Sequence, residues 1–589
     1  MTARRLLAPA LALAAIAAGI AVAQGAPAPT ADAAGLATAA TTAATGRVPD
    51  DIVDRYLTRR PTLGPVTVVD ITSESSDRKL LAATLQGIVN RTQARIYLLG
   101  ARSAEDDQRW LDDYQARGLI TVAATVGLDA AVHTFRGELT GYVEADAAEP
   151  WTINTATTAA AARGAVVATP ATAGLLDGEG LAKLADHRGR WTDATTAYLA
   201  VSKAYRSKLP YQGLAIEAPG QNAPRDLLVQ QGVMAVYTRP SQPDWEQIYR
   251  LIDAYPPGSP VYGYVSDTGD EEVAALVRLA RSGHWLVPTD TTDNLSFHLA
   301  VGGRTRALPK AAAPDVAPCR STDVNVVLSF SDGDNLVVPE THFAGPTNFG
   351  SPRRGELPVG WGIGGSASVL MPAIWDHYVT TTSDADEIID MMGLGYALPS
   401  LMPDRGVAYL TASFRQQAAL GIPTNWSLDA PIAKPDASGW LGVVAAAKAA
   451  GTTPEGMLFN YERWPGPPWY PSIAGFPVLA SQTKVYAESP TDLAAQVKAL
   501  ADQPASQRSL VTFFAVTNWS TSFDQLADAM GPLRQQGIRF LTPSEAWACL
   551  PKPATTTTTT LGTTSPSTTT TVPGATGAEP VGGAPTYVG

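Results

Sequence analysis

Short apolar runs alternate with amphipathic stretches throughout the second half of the chain, between residues 319 and 552. Eight runs have the length and composition of buried strands, and helical patterns separate most of them. These runs are Val324–Phe330, Val359–Ile363, Ile388–Met392, Thr424–Leu428, Met457–Asn460, Pro477–Ala480, Val511–Val516 and Ile538–Leu541. Because strand and helix alternate regularly, the pattern predicts a TIM-like (β/α)7-8 barrel over residues 319–552.

The preceding region, residues 61–305, shows a less regular alternation. Its first part predicts a strand at Val66–Asp70, a helix at Lys79–Asn90 and a second strand at Ala94–Leu99, which is the order of a βαβ unit. Later parts alternate similarly, with a helix predicted at Glu271–Ser282. We therefore expect two or three small α/β modules before the barrel, and an α/β fold class for the chain.

Both ends of the chain lack the pattern of a folded domain. Residues 1–28 place two arginines before a short Ala-rich apolar run, which is typical of a secretory signal peptide. Residues 29–60 read as a low-complexity linker, and residues 553–589 as a disordered Thr/Pro-rich tail. We expect a secreted protein, extracellular or associated with the cell envelope, with no membrane span in its mature form.

Charge and cysteine content narrow the class of partner. A formal net charge of -12 argues against nucleic acid, which requires a cationic surface, and favours a neutral substrate. Cys319 and Cys549 are the only cysteines and bracket the predicted barrel. In an oxidising compartment such a pair predicts a disulfide, and two buried free thiols are the alternative.

Polar and aromatic residues follow the predicted barrel strands, at the face where barrel enzymes place their active sites. Asp332 and Asp334 lie in an acidic turn after the first strand, separated by one glycine. Two such carboxylates can share a cation or divide the roles of acid and base. We predict that Asp332, Asp334 and Glu462 are catalytic. The predicted substrate-binding residues are Asn335, Trp361, Tyr396, Asn518 and Trp519.

Glycoside hydrolysis fits this set, because it requires two carboxyl groups that flank the scissile bond. An EF-hand is excluded, since Leu336 and Phe343 fall where oxygen ligands are needed. No cofactor is predicted, although calcium at the acidic turn is an alternative, as is a purely structural turn. A non-catalytic glycan-binding envelope protein and a metal-dependent polysaccharide deacetylase or esterase stay open as alternative functions. The expected partner is an oligo- or polysaccharide.

The segment Gly393–Pro399, with the sequence GLGYALP, resembles the signature of the GxGYxYP family, which is associated with glycoside hydrolysis. It departs from the signature at Leu398, where the family has tyrosine. Four further segments are similar to the family, namely Leu85–Arg91, Asp293–Phe297, Phe330–Leu336 and Leu357–Gly362. The resemblance implies an exported protein with small α/β modules before a barrel-like domain linked to sugar processing, and it assigns no catalytic residue.

Overall fold

A computed structural model describes most of residues 44–551 of the protein. The residues outside the description within this range are 266–268, 311–314, 403–404, 430–441, 443, 448–453, 462, 465–466, 474–475 and 485–488. Among the described residues, no helix has the length and apolar character needed to cross a membrane.

The described chain begins with a short helix, α1 (Asp50–Tyr56), inside the segment predicted as a linker. Ile52 and Tyr56 of this helix are fully buried, and the Tyr56 hydroxyl donates a hydrogen bond to the carbonyl of Leu394. The folded part therefore starts before residue 61, the predicted boundary, because the side chains of Ile52 and Tyr56 pack into the hydrophobic core.

Three small parallel sheets follow, and helices connect their strands. The first contains β1 (Thr62–Asp70), β2 (Gln93–Leu99) and β3 (Val122–Gly127), with α2 (Ser76–Val89), α3 (Ala104–Ala116) and α4 (Leu128–Phe135). The second contains β4 (Tyr142–Glu144), β5 (Val166–Ala168) and β6 (Lys183–Asp186), with α5 (Trp151–Arg163), α6 (Pro170–Gly178) and α7 (Ala194–Tyr205).

The third sheet has the strand order β10-β9-β7-β8, and with its helices it spans residues 214–298, called here the third module. Its strands are β7 (Leu214–Ile216), β8 (Met234–Val236), β9 (Pro260–Gly263) and β10 (Trp285–Pro288). Its helices are α8 (Arg225–Gln231), α9 (Trp245–Tyr249), α10 (Gly269–Arg281) and α11 (Leu295–His298).

A buried amide network joins the first sheet to the third module. The Asn294 side chain accepts from the Leu98 amide at 2.8 Å and donates to the Leu98 carbonyl at 3.0 Å, as a neighbouring strand would. Gln86 Nε2 donates to Asn294 Oδ1 at 2.7 Å. Buried backbone groups need hydrogen-bond partners, and this network supplies them. This role explains why Gln86 and Asn294 occur in two of the segments that are similar to the family.

The C-terminal half forms one curled sheet of parallel strands. Its order is β17 (Phe476–Ala480), β15 (Gly456–Phe459), β14 (Thr424–Ser427), β13 (Asp386–Met391), β12 (Val359–Ile363), β11 (Asn325–Gly333) and β18 (Thr512–Val516). A parallel bridge between Ser481 and Phe513 brings the two ends of the sheet together. β16 (Trp469–Ile473) pairs antiparallel with β17, and β19 (Arg539–Leu541) pairs with the start of β11.

Helices that lie between these strands include α12 (Ala367–Leu370), α13 (Pro372–Thr381), α14 (Gly406–Leu420), α15 (Pro490–Ala501) and α16 (Phe523–Gln535), and α17 (Pro543–Cys549) follows β19. The predicted α/β fold, with small modules before a barrel-like domain, is confirmed. All eight predicted strands are present, whereas β16 was not predicted. Pro372 separates α12 from α13, because proline lacks the amide that would continue α12.

The predicted disulfide is present between Cys319 and Cys549, with a Cα–Cα distance of 5.0 Å. It closes a loop with a sequence separation of 230 and ties the segment before β11 to the end of α17. The chain-entropy model gives such a long loop a contribution of up to roughly 5 kcal/mol. The disulfide therefore fastens the two ends of the barrel domain to each other.

The turn that carries the GxGY motif joins the barrel to the third module. Tyr396 and Leu286 exchange two backbone hydrogen bonds, of 2.7 and 2.9 Å, so the turn pairs with β10. Gly395 has a φ of +149°, and a Cβ there would lie 2.6 Å from the Leu286 carbonyl oxygen. Only glycine allows this approach, which explains the second glycine of the motif.

We predict that Gly395→Ala lowers the free energy of unfolding by about 1 to 3 kcal/mol, since the new Cβ meets backbone at a φ that only glycine tolerates. Chemical denaturation followed by tryptophan fluorescence measures this change. Gly174→Ala is the control, because Gly174 is exposed in α6 with no atom near its Cβ position, and it should stabilise by about 0.5 to 1 kcal/mol. Equal effects of the two changes would contradict the explanation.

Candidate active site

The acidic turn lies at the carboxyl end of β11. Asp332 has a left-handed backbone, with a φ of 68°, and the Asn335 amide donates to its carbonyl at 3.0 Å. Met392 and Asn460, which follow β13 and β15, are also left-handed. Strained backbone of this kind is concentrated at functional sites, so these strand ends mark the candidate site.

Asp334 is buried, with only 4% of its surface exposed. Burial raises the pKa of its carboxyl to about 8, and the negative charges of Asp332 and Glu272 contribute in the same direction. The charged form is disfavoured because it loses hydration without gaining an opposite charge. Asp334 is therefore mainly protonated at neutral pH.

The half-buried carboxylate of Asp332 is held by hydrogen bonds from the Ser331 hydroxyl and, at 3.4 Å, from Asn518 Nδ2. Asn518 also donates to the Ser331 carbonyl at 3.0 Å, which ties the end of β18 to the acidic turn. The structure thus brings together three residues predicted from the sequence, Asp332, Asp334 and Asn518.

Asn518 and Trp519 offer features that suit a sugar. Asn518 is 6% exposed, and within the described residues its buried Oδ1 accepts no hydrogen bond. Trp519 is 41% exposed although the preceding residues 511–518 are buried, and its ring contacts His342 edge-on with centroids 4.4 Å apart. An exposed indole beside an unused acceptor fits a ligand that has both an apolar face and hydroxyl donors.

The third module contributes side chains to the same place. The phenols of Tyr264, which follows β9, and Tyr396 both hydrogen-bond the carboxylate of Glu272 on α10. Burial raises the pKa of Tyr396 well above its usual value, and the charges of Glu272 and Asp334 contribute to the increase. Tyr396 therefore lies between the acidic turn of the barrel and a helix of the third module.

The remaining predicted residues have different positions. Trp361 is fully buried, stacks on Phe330 with ring centroids 4.7 Å apart, and donates from Nε1 to Asp386. Trp361 is therefore a core residue and lies outside the candidate site. Asn335 is half-buried and accepts from the Val337 amide at 3.4 Å, as turn residues do. Glu462 lies outside the described residues.

Two acidic residues of this region were not predicted as site residues. Asp390, at the end of β13, is buried, and burial raises the pKa of its carboxyl to about 7, while Asn425 donates to it at 3.3 Å. The sequence signal was available, because Asp390 interrupts an apolar strand just before the GxGY motif. For Glu272 no local signal exists, since the site forms only when the third module packs on the barrel.

The arrangement combines the Asp334 carboxyl, whose pKa is raised to about 8, the acidic side chains of Asp332 and Glu272, and the exposed ring of Trp519. Among the described residues, no group of three or more His, Cys, Asp or Glu side chains is placed to hold a metal ion. The fold and the site together define a multi-module α/β protein with a carboxyl-based candidate active site at the junction of two domains.

Comparison with known families agrees with the architecture of small N-terminal domains before a C-terminal domain. Residues 323–549 match the "GxGYxYP putative glycoside hydrolase C-terminal domain", and residues 65–137 and 139–209 match the first and second N-terminal domains of the same family. The chain belongs to the GxGYxYP family. No protein of curated function gives a significant match.

A solved structure shares the fold. It is described as a "putative hydrolase from Bacteroides thetaiotaomicron VPI-5482", and it is similar to this chain with a TM-score of 0.71 and 18% sequence identity. The similarity covers 83% of this chain and 95% of that chain. At this identity the comparison supports the fold, including the arrangement of modules before the barrel.

We predict that Asp334 makes the stability of the protein depend on pH. Its pKa is about 8 in the folded state, against an ordinary value of 3.8, so the folded state holds an extra proton between these values. The free energy of unfolding should therefore fall as pH rises from 4 to 8, by on the order of 1 kcal/mol per pH unit from this residue. Denaturation of the Asp334→Asn variant at several pH values should show a correspondingly shallower decline.

Asp323→Asn serves as the control, because Asp323 is exposed ahead of β11. Its pH dependence should match that of the wild type. Parallel curves for the wild type and Asp334→Asn would contradict the proposed burial of a protonated carboxyl.

Proposed function

We propose that the protein is a glycoside hydrolase and that Asp334 is its general acid. The observation that carries the proposal is the buried Asp334 carboxyl, whose pKa is raised to about 8, in an acidic turn that Asn518, the residue before the exposed Trp519, hydrogen-bonds at the carboxyl face of the barrel. Glycosidases require such a group, since the leaving oxygen must be protonated as the bond breaks. Membership of the GxGYxYP family supports the same class of reaction.

In the proposed reaction Asp334 donates its proton to the glycosidic oxygen while the bond from that oxygen to the anomeric carbon breaks. The oxygen of a water molecule forms the new bond to the anomeric carbon, and a second, ionised carboxylate removes the proton of this water. The products are a sugar hemiacetal and an alcohol. Glu462, the second carboxyl expected from the sequence, stays a prediction.

Asp332 acts on Asp334 through its charge. Its negative charge adds to burial in raising the pKa of Asp334, which keeps the acid protonated until substrate binds. Ser331 and Asn518 hold the Asp332 carboxylate in place. Asp332 is thus a positioning and charge-tuning residue in this proposal, and Trp519 and Tyr396 orient the sugar.

The proposed substrate is an oligo- or polysaccharide met outside the cytoplasm. The Cys319–Cys549 disulfide supports this location, because such bonds persist in oxidising compartments. The N-terminal sequence supports it independently, since residues 1–28 have the pattern of a secretory signal.

We predict that Asp334→Asn lowers kcat by about 10²- to 10⁴-fold on substrates whose leaving group needs protonation. A panel of aryl α- and β-glycosides tests this, with 4-methoxyphenyl as the poor and 2,4-dinitrophenyl as the good leaving group. The variant should retain most of its activity on the dinitrophenyl glycoside, because that leaving group departs without a proton. Wild-type activity should fall above about pH 8, where Asp334 loses its proton.

Asp323→Asn is again the matched control and should behave as the wild type on both substrates. Equal losses of Asp334→Asn on the good and the poor leaving group would exclude the acid role. A wild type that binds glycans on an array but releases no sugar from them would favour the alternative of a non-catalytic glycan-binding protein.

A further inference from the structure

We infer that Glu272, on helix α10 of the third module, is the second catalytic carboxylate, so that the active site is shared between the barrel and the third module. The inference rests on the proposed function, in which Asp334 supplies the proton. It differs from the expectation drawn from the sequence, which placed both carboxyls in the barrel.

The position of Glu272 is fixed from both domains. Tyr264 reaches it from the end of β9, and Tyr396 reaches it from the GxGY turn of the barrel. Two phenol donors on one carboxylate favour its ionised form and limit its rotation. Tyr396, the tyrosine of the family motif, therefore hydrogen-bonds Glu272, a residue that lies outside the barrel.

The surroundings of Asp334 and Glu272 favour different protonation states, and this difference assigns the roles of acid and base. Glu272 contributes to the raised pKa of Asp334, which places the two groups within electrostatic reach of each other. Asp334 is buried and holds its proton, whereas Glu272 receives hydrogen bonds that suit a carboxylate. Two carboxyls whose surroundings favour opposite protonation states are the arrangement that acid and base catalysis requires.

Backbone contacts hold the third module at this face of the barrel. Besides the paired Tyr396 and Leu286, the Leu336 amide, just after the acidic turn, donates to the Pro288 carbonyl at 3.1 Å. These bonds place the carboxyl ends of β9 and β10 over the acidic turn. Ligands of open parallel sheets bind at the carboxyl ends of the strands, so the third module presents its own binding edge to the barrel.

Glu217, at the end of β7, supports a functional role for this edge. It is fully buried, and within the described part of the chain neither of its carboxyl oxygens accepts a hydrogen bond. A Cβ on Gly263, which directly precedes Tyr264, would lie 3.3 Å from Glu217 Oε2. A buried carboxyl without a hydrogen-bond donor is costly, and such groups are found where a site needs them.

In the inferred step Glu272 takes a proton from the attacking water as the oxygen of that water bonds to the anomeric carbon. At the same time the glycosidic bond breaks and its oxygen takes the Asp334 proton. Glu272 ends protonated and Asp334 ionised, and exchange of one proton with solvent at each residue restores the resting enzyme. The substrate class is a glycan that fits between the barrel and the third module.

Kinetics of Glu272→Gln and Glu272→Ala test the inference in the full-length protein. Both variants should lose at least 100-fold in kcat on the good as well as the poor leaving group, because the base is needed for either substrate. Sodium azide should restore Glu272→Ala by attacking the anomeric carbon in place of activated water, and a glycosyl azide should form. Tyr264→Phe should give a smaller loss.

Glu271→Gln and Glu271→Ala are the matched controls. Glu271 is the neighbouring residue on α10, but it forms an ion pair with Arg239 at 2.6 Å. These variants remove the same charge from the same helix turn, and they should keep wild-type kcat. Glu271→Ala should gain nothing from azide.

The outcomes separate the two proposals. A wild type that hydrolyses no glycoside of the panel would overturn the proposed function, and the role of Glu272 with it. An active wild type with an impaired Asp334→Asn and a fully active Glu272→Gln would overturn the role of Glu272 alone. If Glu272→Ala does not fold, as judged by circular dichroism, the isosteric Glu272→Gln decides.

Discussion

The backbone pairing of Tyr396 with Leu286 is the contact on which the architecture around the site depends. It adds one residue of a barrel loop to the edge of the third sheet, and it requires a glycine at position 395 because any side chain there would meet β10. Two domains that share backbone hydrogen bonds cannot rotate freely about a linker. Side chains from both can therefore be placed with the accuracy that catalysis demands.

The same junction determines the electrostatics. Asp334 lies in the acidic turn beside this junction, and burial is the main cause of its raised pKa. The neighbouring acids add repulsion, so the proton stays on Asp334 at neutral pH. In the proposed mechanism the third module contributes to the environment of the acid through the charge of Glu272.

The regular part of the fold could be predicted from the sequence. Buried parallel strands are short apolar runs, and all eight predicted runs are strands of the barrel domain. The acidic turn and the disulfide were also predictable, because they depend on local sequence and on cysteine number. β16 was not found, since prolines and glycines precede it and it pairs antiparallel with β17.

Site residues were harder to predict, for physical reasons. Trp361 lies within β12 and Trp519 follows β18, and both were predicted to bind substrate, yet Trp361 is fully buried and Trp519 is 41% exposed, a difference that only packing reveals. Glu272 lies on a predicted helix, but a helix pattern does not reveal which distant domain the helix contacts. Asp390 could have been found, because an aspartate within a buried strand is costly and needs an explanation.

The most direct test is a crystal structure of the full-length Asp334→Asn protein with an oligosaccharide that the wild type cleaves. Our account predicts a sugar ring against the exposed face of Trp519, with the glycosidic oxygen within about 3 Å of the side chain at position 334 and the anomeric carbon facing Glu272. An oligosaccharide bound without contact to the third module, or one whose scissile bond lies far from position 334, would contradict it.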